Sequence, residues 1–281
     1  MNNGIIGIVG AGVMGRGVAQ RFASYGYSVI LIDIERSILD MAKNEILRSL
    51  QFQNMFGGKK LDVTKIMEKI VFSTSYDKLN TVNFVIENVS ENKELKKQVY
   101  NELNNVCNQE CYFLANTSCI SITELGAFSQ RPEKVIGVHF MNPVPQKDFS
   151  EVIRGMKTSE ETITSVKELL DSVGISCEVI NDNPGFVSNR LSHLFMNEAI
   201  KLVQEGVAEP FQIDAIFKKG FGHTMGPLET ADLIGLDTVM DSLDVLAEAY
   251  QDSRYSVCPL LRRMVAAGML GRKSRQGFYK Y

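Results

Sequence analysis

The stretch that most constrains this chain is Ile5 to Asp33. Ile5, Ile6, Ile8 and Val9 form a short apolar run, and Gly10-Ala11-Gly12-Val13-Met14-Gly15 follows at once. An apolar-periodic segment through Val18, Ala19, Phe22 and Ala23 comes next. A second strand-like run, Val29 to Ile32, then ends at Asp33. Strand, Gly-x-Gly-x-x-Gly turn, helix, strand and acid make up the dinucleotide-binding fingerprint in the context it requires. Gly10 permits the tight turn. Gly12 lets a pyrophosphate approach the backbone, and Gly15 lets the helix pack closely on the sheet. Met14 belongs to the same phosphate-facing turn. The helix N-terminus offers unpaired N–H groups and a positive dipole end to phosphates. Asp33 can accept hydrogen bonds from both ribose hydroxyls of NAD and would repel a 2′-phosphate. Arg36, nearby, would soften that preference.

The rest of the first 183 residues continues the alternation. Ser37 can cap a long helix reaching about Phe56, which Met55 to Leu61 breaks, and a second helix is expected from Asp62 to Ile70. Strands are expected at Val71–Ser73, Val82–Glu87, Tyr112–Ala115, Val135–His139, Phe149–Ile153 and Cys177–Ile180. Helices are expected at Asn92–Leu103, at Ile122–Phe128, and from the opening Thr158–Glu161 to near Gly174. The pattern predicts an α/β fold, a doubly wound, mostly parallel Rossmann sheet with an inserted helical hairpin. Asn181-Asp182-Asn183-Pro184-Gly185 is the best linker. Beyond it, helical segments from Phe186 to Glu205 and from Phe211, Pro227, Asp237 and Pro259 predict an all-α domain. The expected domains are therefore 1–183, binding the cofactor, and 184–281, helical.

Composition narrows the partners. Lys plus Arg is 30 against 33 acids, a formal charge of −3, which suggests neither a nucleic-acid groove nor an acidic tail. No apolar run is long enough to cross a membrane, and the early strand leaves no room for a signal peptide. The five Cys show no C-x-x-C pair and the three His no ligand spacing, so metal and disulfide readings are poor and a reduced, cytoplasmic protein is expected.

Several residues invite chemistry. His139 ends a predicted strand, and ligands of such sheets bind outside the carboxyl ends of strands. Glu151 lies within reach if the chain turns back, and a carboxylate-oriented histidine is the usual base for a hydroxyl proton during hydride transfer. Asn116-Thr117-Ser118-Cys119 also follows a strand, so Ser118 can bond a substrate oxygen. Cys119 with His139 opens a hydrolase alternative, though nothing nearby makes an oxyanion hole. Asn189 starts the first helix of the tail and can overhang a cleft or merely cap. Glu91 and Lys96 flank the start of the helix after Val82–Glu87, where Glu91 can touch a nicotinamide ribose.

These motifs together resemble the L-3-hydroxyacyl-CoA dehydrogenase family, especially its short bacterial 3-hydroxybutyryl-CoA dehydrogenases, over essentially the whole chain. The specific parts are Gly10–Gly15, Asn116-Thr-Ser118, Val138 to Pro145, Glu151-Val-Ile-Arg154, Pro184 to Arg190, Met225-Gly-Pro227, Asp232 to Asp237 and Gly271-Arg-Lys with Gly277-Phe-Tyr. The resemblance implies NAD as cofactor, a helical domain that forms a homodimer, His139 as base and Glu151 as its orienting carboxylate. It implies Ser118, Asn142 and Asn189 as active-site polar residues, and Asp33, Glu91, Lys96 and Asn116 as cofactor contacts. Three stretches depart from the pattern. Gln146-Lys147-Asp148-Phe149-Ser150 replaces an apolar pair and Lys-Leu-Val. Gly57-Gly58-Lys59-Lys60 replaces a Lys-Gly-Lys-like turn, and Cys119 replaces a serine. The first two fall where the family approaches acyl-CoA, so a thioester on an acyl carrier protein is the alternative substrate. A relative that binds NAD without catalysis is the alternative from another class.

Overall fold

The computed structural model of the chain describes residues 4–56 and 60–281. They form two compact units that divide at Asp182 and Asn183, inside the expected linker.

The first unit runs β1 (Ile5–Val9), α1 (Val13–Ser24), β2 (Ser28–Ile32), α2 (Arg36–Phe56), α3 (Val63–Glu68), β3 (Ile70–Ser73), β4 (Phe84–Glu87), α4 (Lys93–Val106), β5 (Tyr112–Ala115), α5 (Ile122–Phe128), β6 (Val135–Phe140), β7 (Phe149–Arg154), α6 (Glu160–Ser172) and β8 (Ser176–Asn181). Its strands make one eight-stranded sheet in the order β3-β2-β1-β4-β5-β6-β7-β8. The order reverses between β1 and β4, which is where ligands of doubly wound sheets bind. Within this sheet, among the described residues, only β6 and β7 pair antiparallel. The central strands read as near-continuous apolar runs because helices cover both faces, and Ile6, Ile8, Leu31, Ile86, Leu114 and Ile136 are buried.

Local differences from the expected pattern have local causes. Residue Ile70, expected in a helix, opens β3 and pairs with Val29; α3 stops at Glu68. β4 starts at Phe84 rather than Val82, because a short 3₁₀ turn at Asp77–Thr81 precedes it. The departures at Gly57, Gly58 and Lys59 lie outside the described residues.

The second unit contains α7 (Ser188–Gln204), α8 (Pro210–Gly220), α9 (Pro227–Ile234), α10 (Leu236–Tyr250) and α11 (Pro259–Ala266). Proline opens three of these helices, where its missing N–H costs nothing. The first helix begins at Ser188 rather than Phe186. Gly185 and Phe186 hold positive φ, which cannot continue a right-handed helix. The tail is helical as expected, and its closing segment adds two isolated antiparallel bridges, Gly271 with Gln276 and Gln276 with Lys280. Asp232 explains that closing segment. Its carboxylate accepts from the Phe278 and Tyr279 N–H groups and from the Tyr281 hydroxyl. Burial holds its carboxyl above the usual range, against the effect of those bonds. Among the described residues, no helix is long and apolar enough to cross a membrane.

Candidate active site

The glycine turn has the geometry that pyrophosphate binding needs. Gly10 holds φ +91°, and a Cβ there would meet the Asn88 backbone at 2.7 Å. A Cβ on Gly15 would lie 1.8 Å from the Gly10 carbonyl oxygen. The close approach is thus to the turn itself rather than, as the sequence suggested, to the sheet at large. At Gly12 no atom lies within 4 Å of an added Cβ, so this position is kept bare on the side open to a ligand. Gly12 is also the N-cap of α1 and makes no side-chain cap. Met14 is half-buried against the core of the sheet unit.

Asp33 directly follows β2, where its carboxylate accepts the Ala11 N–H at 2.8 Å and the Glu35 N–H at 3.2 Å. Each oxygen keeps a lone pair for a ribose hydroxyl. Gly10, Gly12, Asp33, Tyr76 and Asn88 line a cleft of about 280 Å³. Burial pushes the Tyr76 phenol up to about 12. Arg36 turns to Asp40 at 3.3 Å and not toward Asp33. The residues present therefore fit NAD: bare backbone, a helix N-terminus and a ribose-facing acid line one cleft.

The acid–base pair comes from β6 and β7. Their antiparallel register sets His139 opposite Glu151, so both side chains share a face. His139 Nδ1 is 2.9 Å from Glu151 Oε2, with both side chains largely buried, at 12% and 6% exposure. A carboxylate on Nδ1 requires the proton there and leaves Nε2 as the basic nitrogen. Ser118 Oγ lies 3.4 Å from that Nε2. Histidine, glutamate and serine thus converge from two strands and one loop.

The remaining expected residues are spread more widely. Asn142 is exposed on the loop after β6 and, with Arg16, Gln20 and Glu45, lines a cleft of about 170 Å³. Asn116 is nearly buried. It donates to Asn88 Oδ1 at 2.8 Å and accepts from the Phe140 N–H, fixing the neighbouring strand ends. Asn189 is in the second unit, where its carbonyl accepts from His193 Nδ1 at 2.7 Å. Glu91 is exposed, and its Oε1 receives the Ser118, Cys119 and Ile120 N–H groups and the Thr117 hydroxyl.

Lys96 departs from expectation. Its ammonium is fully buried and bonds both oxygens of Glu87 at 2.8 Å, so in this structure it faces the protein interior, not a ligand. Burial raises the Glu87 carboxyl, while Lys96 opposes that rise. The sequence reading overlooked Glu87 and Thr117. An acid closing an otherwise apolar strand was the available sign for Glu87. Arg21 was overlooked too. It is 5% exposed and bonds the Val173 and Gly174 carbonyls and Asp148, tying down the departing segment Gln146–Ser150. Among the described residues, no group of three or more His, Cys, Asp or Glu is placed to hold a metal.

A dinucleotide cleft beside a carboxylate-oriented histidine defines a nicotinamide-dependent dehydrogenase acting on a carbinol. Comparison with known proteins narrows the class. Residues 5–183 match the 3-hydroxyacyl-CoA dehydrogenase NAD-binding domain and residues 185–281 match that family's C-terminal domain. The chain is 44% identical to a probable 3-hydroxybutyryl-CoA dehydrogenase of Deinococcus radiodurans, over 98% of this chain and 99% of that protein. It is 41% identical to a probable 3-hydroxybutyryl-CoA dehydrogenase of Bacillus subtilis, over 98% and 96%. The crystal structure of an (S)-3-hydroxybutyryl-CoA dehydrogenase from Ralstonia eutropha superimposes with a TM-score of 0.94 at 39% identity, covering 99% of this chain and 98% of that one. This chain belongs to the 3-hydroxyacyl-CoA dehydrogenase family, and NAD is its cofactor. The hydrolase alternative built on Cys119 falls away.

Proposed function

We propose that the chain interconverts a short 3-hydroxyacyl-CoA and its 3-oxoacyl form, with (S)-3-hydroxybutyryl-CoA and acetoacetyl-CoA as the working pair. The observation that carries this is the His139–Glu151 contact at 2.9 Å with Ser118 beside Nε2. The names of relatives at 41–44% identity support the acyl group and the CoA carrier, and do not favour a carrier-protein thioester.

In the oxidising direction His139 Nε2 takes the proton of the C3 hydroxyl as the carbonyl forms. Glu151 keeps the other ring proton in place and stabilises the resulting imidazolium. Ser118 holds the reacting oxygen in line, and Asn142 contributes a further polar contact to the thioester. NAD, when bound, supplies the acceptor for the hydride leaving C3. Gly10, Gly12, Met14 and Gly15 would seat its phosphates, Asp33 would take the adenosine ribose, and Glu91 and Asn116 would border the nicotinamide end. Lys96 supports that end through Glu87. The protein works in the cytoplasm as a homodimer joined through residues 184–281, where Leu191, Phe211, Ile216 and Phe221 leave large apolar surface exposed.

Acetoacetyl-CoA added to enzyme and NADH is expected to remove the reduced-nicotinamide absorbance. Much faster turnover of the matching acyl-carrier-protein thioester would overturn the CoA assignment. NADH binding without turnover of either would overturn catalysis itself.

A further inference from the structure

We infer that Glu91 is a positioning residue that sets the place of Ser118, seated in turn by the buried Glu87–Lys96 ion pair; this depends on the roles given above to Ser118 and His139. Three successive N–H groups, from Ser118, Cys119 and Ile120, converge on Glu91 Oε1 at 3.0, 2.9 and 3.3 Å. The Thr117 hydroxyl donates to the same oxygen and accepts from the Ile120 N–H at 3.1 Å. Successive N–H groups curled around one anion form a nest, and an ionised acceptor makes each bond stronger than a neutral one.

What the nest holds is the backbone of Ser118. Its Oγ is 3.4 Å from His139 Nε2, at the outer limit of a hydrogen bond. A further shift of a few tenths of an ångström ends that contact. Positioning errors of about 1 Å cost roughly 10² in rate, so the anchor of this loop is an anchor of catalysis.

Glu91 needs a fixed seat of its own, and the turn between β4 and α4 provides one. Glu87 Oε1 accepts the Val89 N–H at 2.7 Å while both its oxygens hold Lys96 Nζ, and neither side chain of the ion pair is exposed. At the far end, Asn92 caps α4 by accepting the Leu95 N–H at 2.9 Å. The turn is clamped on both sides of Glu91. Lys96 thereby reaches the reaction without touching a ligand: it fixes Glu87, which fixes the turn, which presents Glu91 to the Ser118 loop.

The test is a double-mutant cycle on the full chain, with acetoacetyl-CoA at saturating NADH. Glu91→Ala should lower kcat/KM by about 10², and Glu91→Gln should recover most of the loss because its amide oxygen still accepts N–H groups. Adding Glu91→Ala to Ser118→Ala should cost little beyond Ser118→Ala alone, since residues acting through one contact are not additive. Full additivity, or kcat/KM unchanged in Glu91→Ala, overturns the inference while leaving the reaction intact. A wild-type enzyme inactive on acetoacetyl-CoA overturns the reaction assignment on which it depends.

Discussion

A histidine's usefulness as a base is decided at the nitrogen that does no chemistry. In this chain Glu151 holds Nδ1, so Nε2 faces the Ser118 side with its lone pair. Removing the base should remove about 10²–10⁴ of rate. His139→Gln is therefore expected to lower kcat by at least that lower bound while NADH titration gives wild-type affinity. If turnover per folded molecule stays near wild type, His139 is only a packed strand-end residue. Glu151→Gln separates orientation from charge. It keeps a hydrogen-bonding group at the same distance but no negative partner for the imidazolium, so kcat should fall while NADH affinity stays at the wild-type value. An unchanged kcat would show that Glu151 serves packing alone.

Among the elements, the turn into α1 carries the sharpest contrast. Gly15 and Gly12 have the same residue type and opposite surroundings. Alanine at Gly15 drives a methyl into the Gly10 carbonyl, and Gly10 is itself pressed on Asn88. Gly15→Ala should thus cost about 3 kcal/mol or more of stability, read by thermal or denaturant unfolding. Alanine at Gly12 meets nothing within 4 Å, so Gly12→Ala should unfold within about 0.5 kcal/mol of wild type. Yet its dissociation constant for NADH should rise about tenfold or more, 1.4 kcal/mol. Loss of stability in Gly12→Ala with unchanged NADH affinity would contradict the assigned roles. This turn was legible in the sequence because its three glycines sit in a local pattern of fixed spacing. So was the sheet, whose strands are short apolar runs between turns. The sequence could not reveal that β7 runs against β6, since direction is set by tertiary pairing and not by periodicity. The fate of Lys96 was equally hidden. A lysine at the start of a helix is usually solvated, and only the fold brings Glu87 beneath it. Glu91 was found, but its grip on the Ser118 loop depends on two connections that are far apart in the chain.

At the scale of the molecule, the helical unit has its own core in Met196, Ile200, Leu228, Leu243 and Leu261, while α7 and α8 still expose Leu191, Phe211 and Ile216. These exposed side chains are candidates for the surface of the proposed homodimer. Sedimentation at micromolar concentration is expected to give a dimer, and Ile216→Glu or Phe211→Glu should shift it toward monomer with the unit's helicity retained. A wild-type monomer at that concentration would dismiss the homodimer. The boundary of this unit was legible because Pro and Gly cluster at 184–185. The clasp of Asp232 on Phe278, Tyr279 and Tyr281 was not, since nothing in sequence spacing links an acid to backbone N–H groups and a hydroxyl more than forty residues away.

The bare space at Gly12 has a consequence inside a cell. Quality control samples unfolded chains and is blind to activity. A variant at Gly15 would be cleared and its abundance would fall. A variant at Gly12 would escape proteolysis and accumulate at full level. Abundance measurements would score it as healthy, and only a flux measurement would expose it.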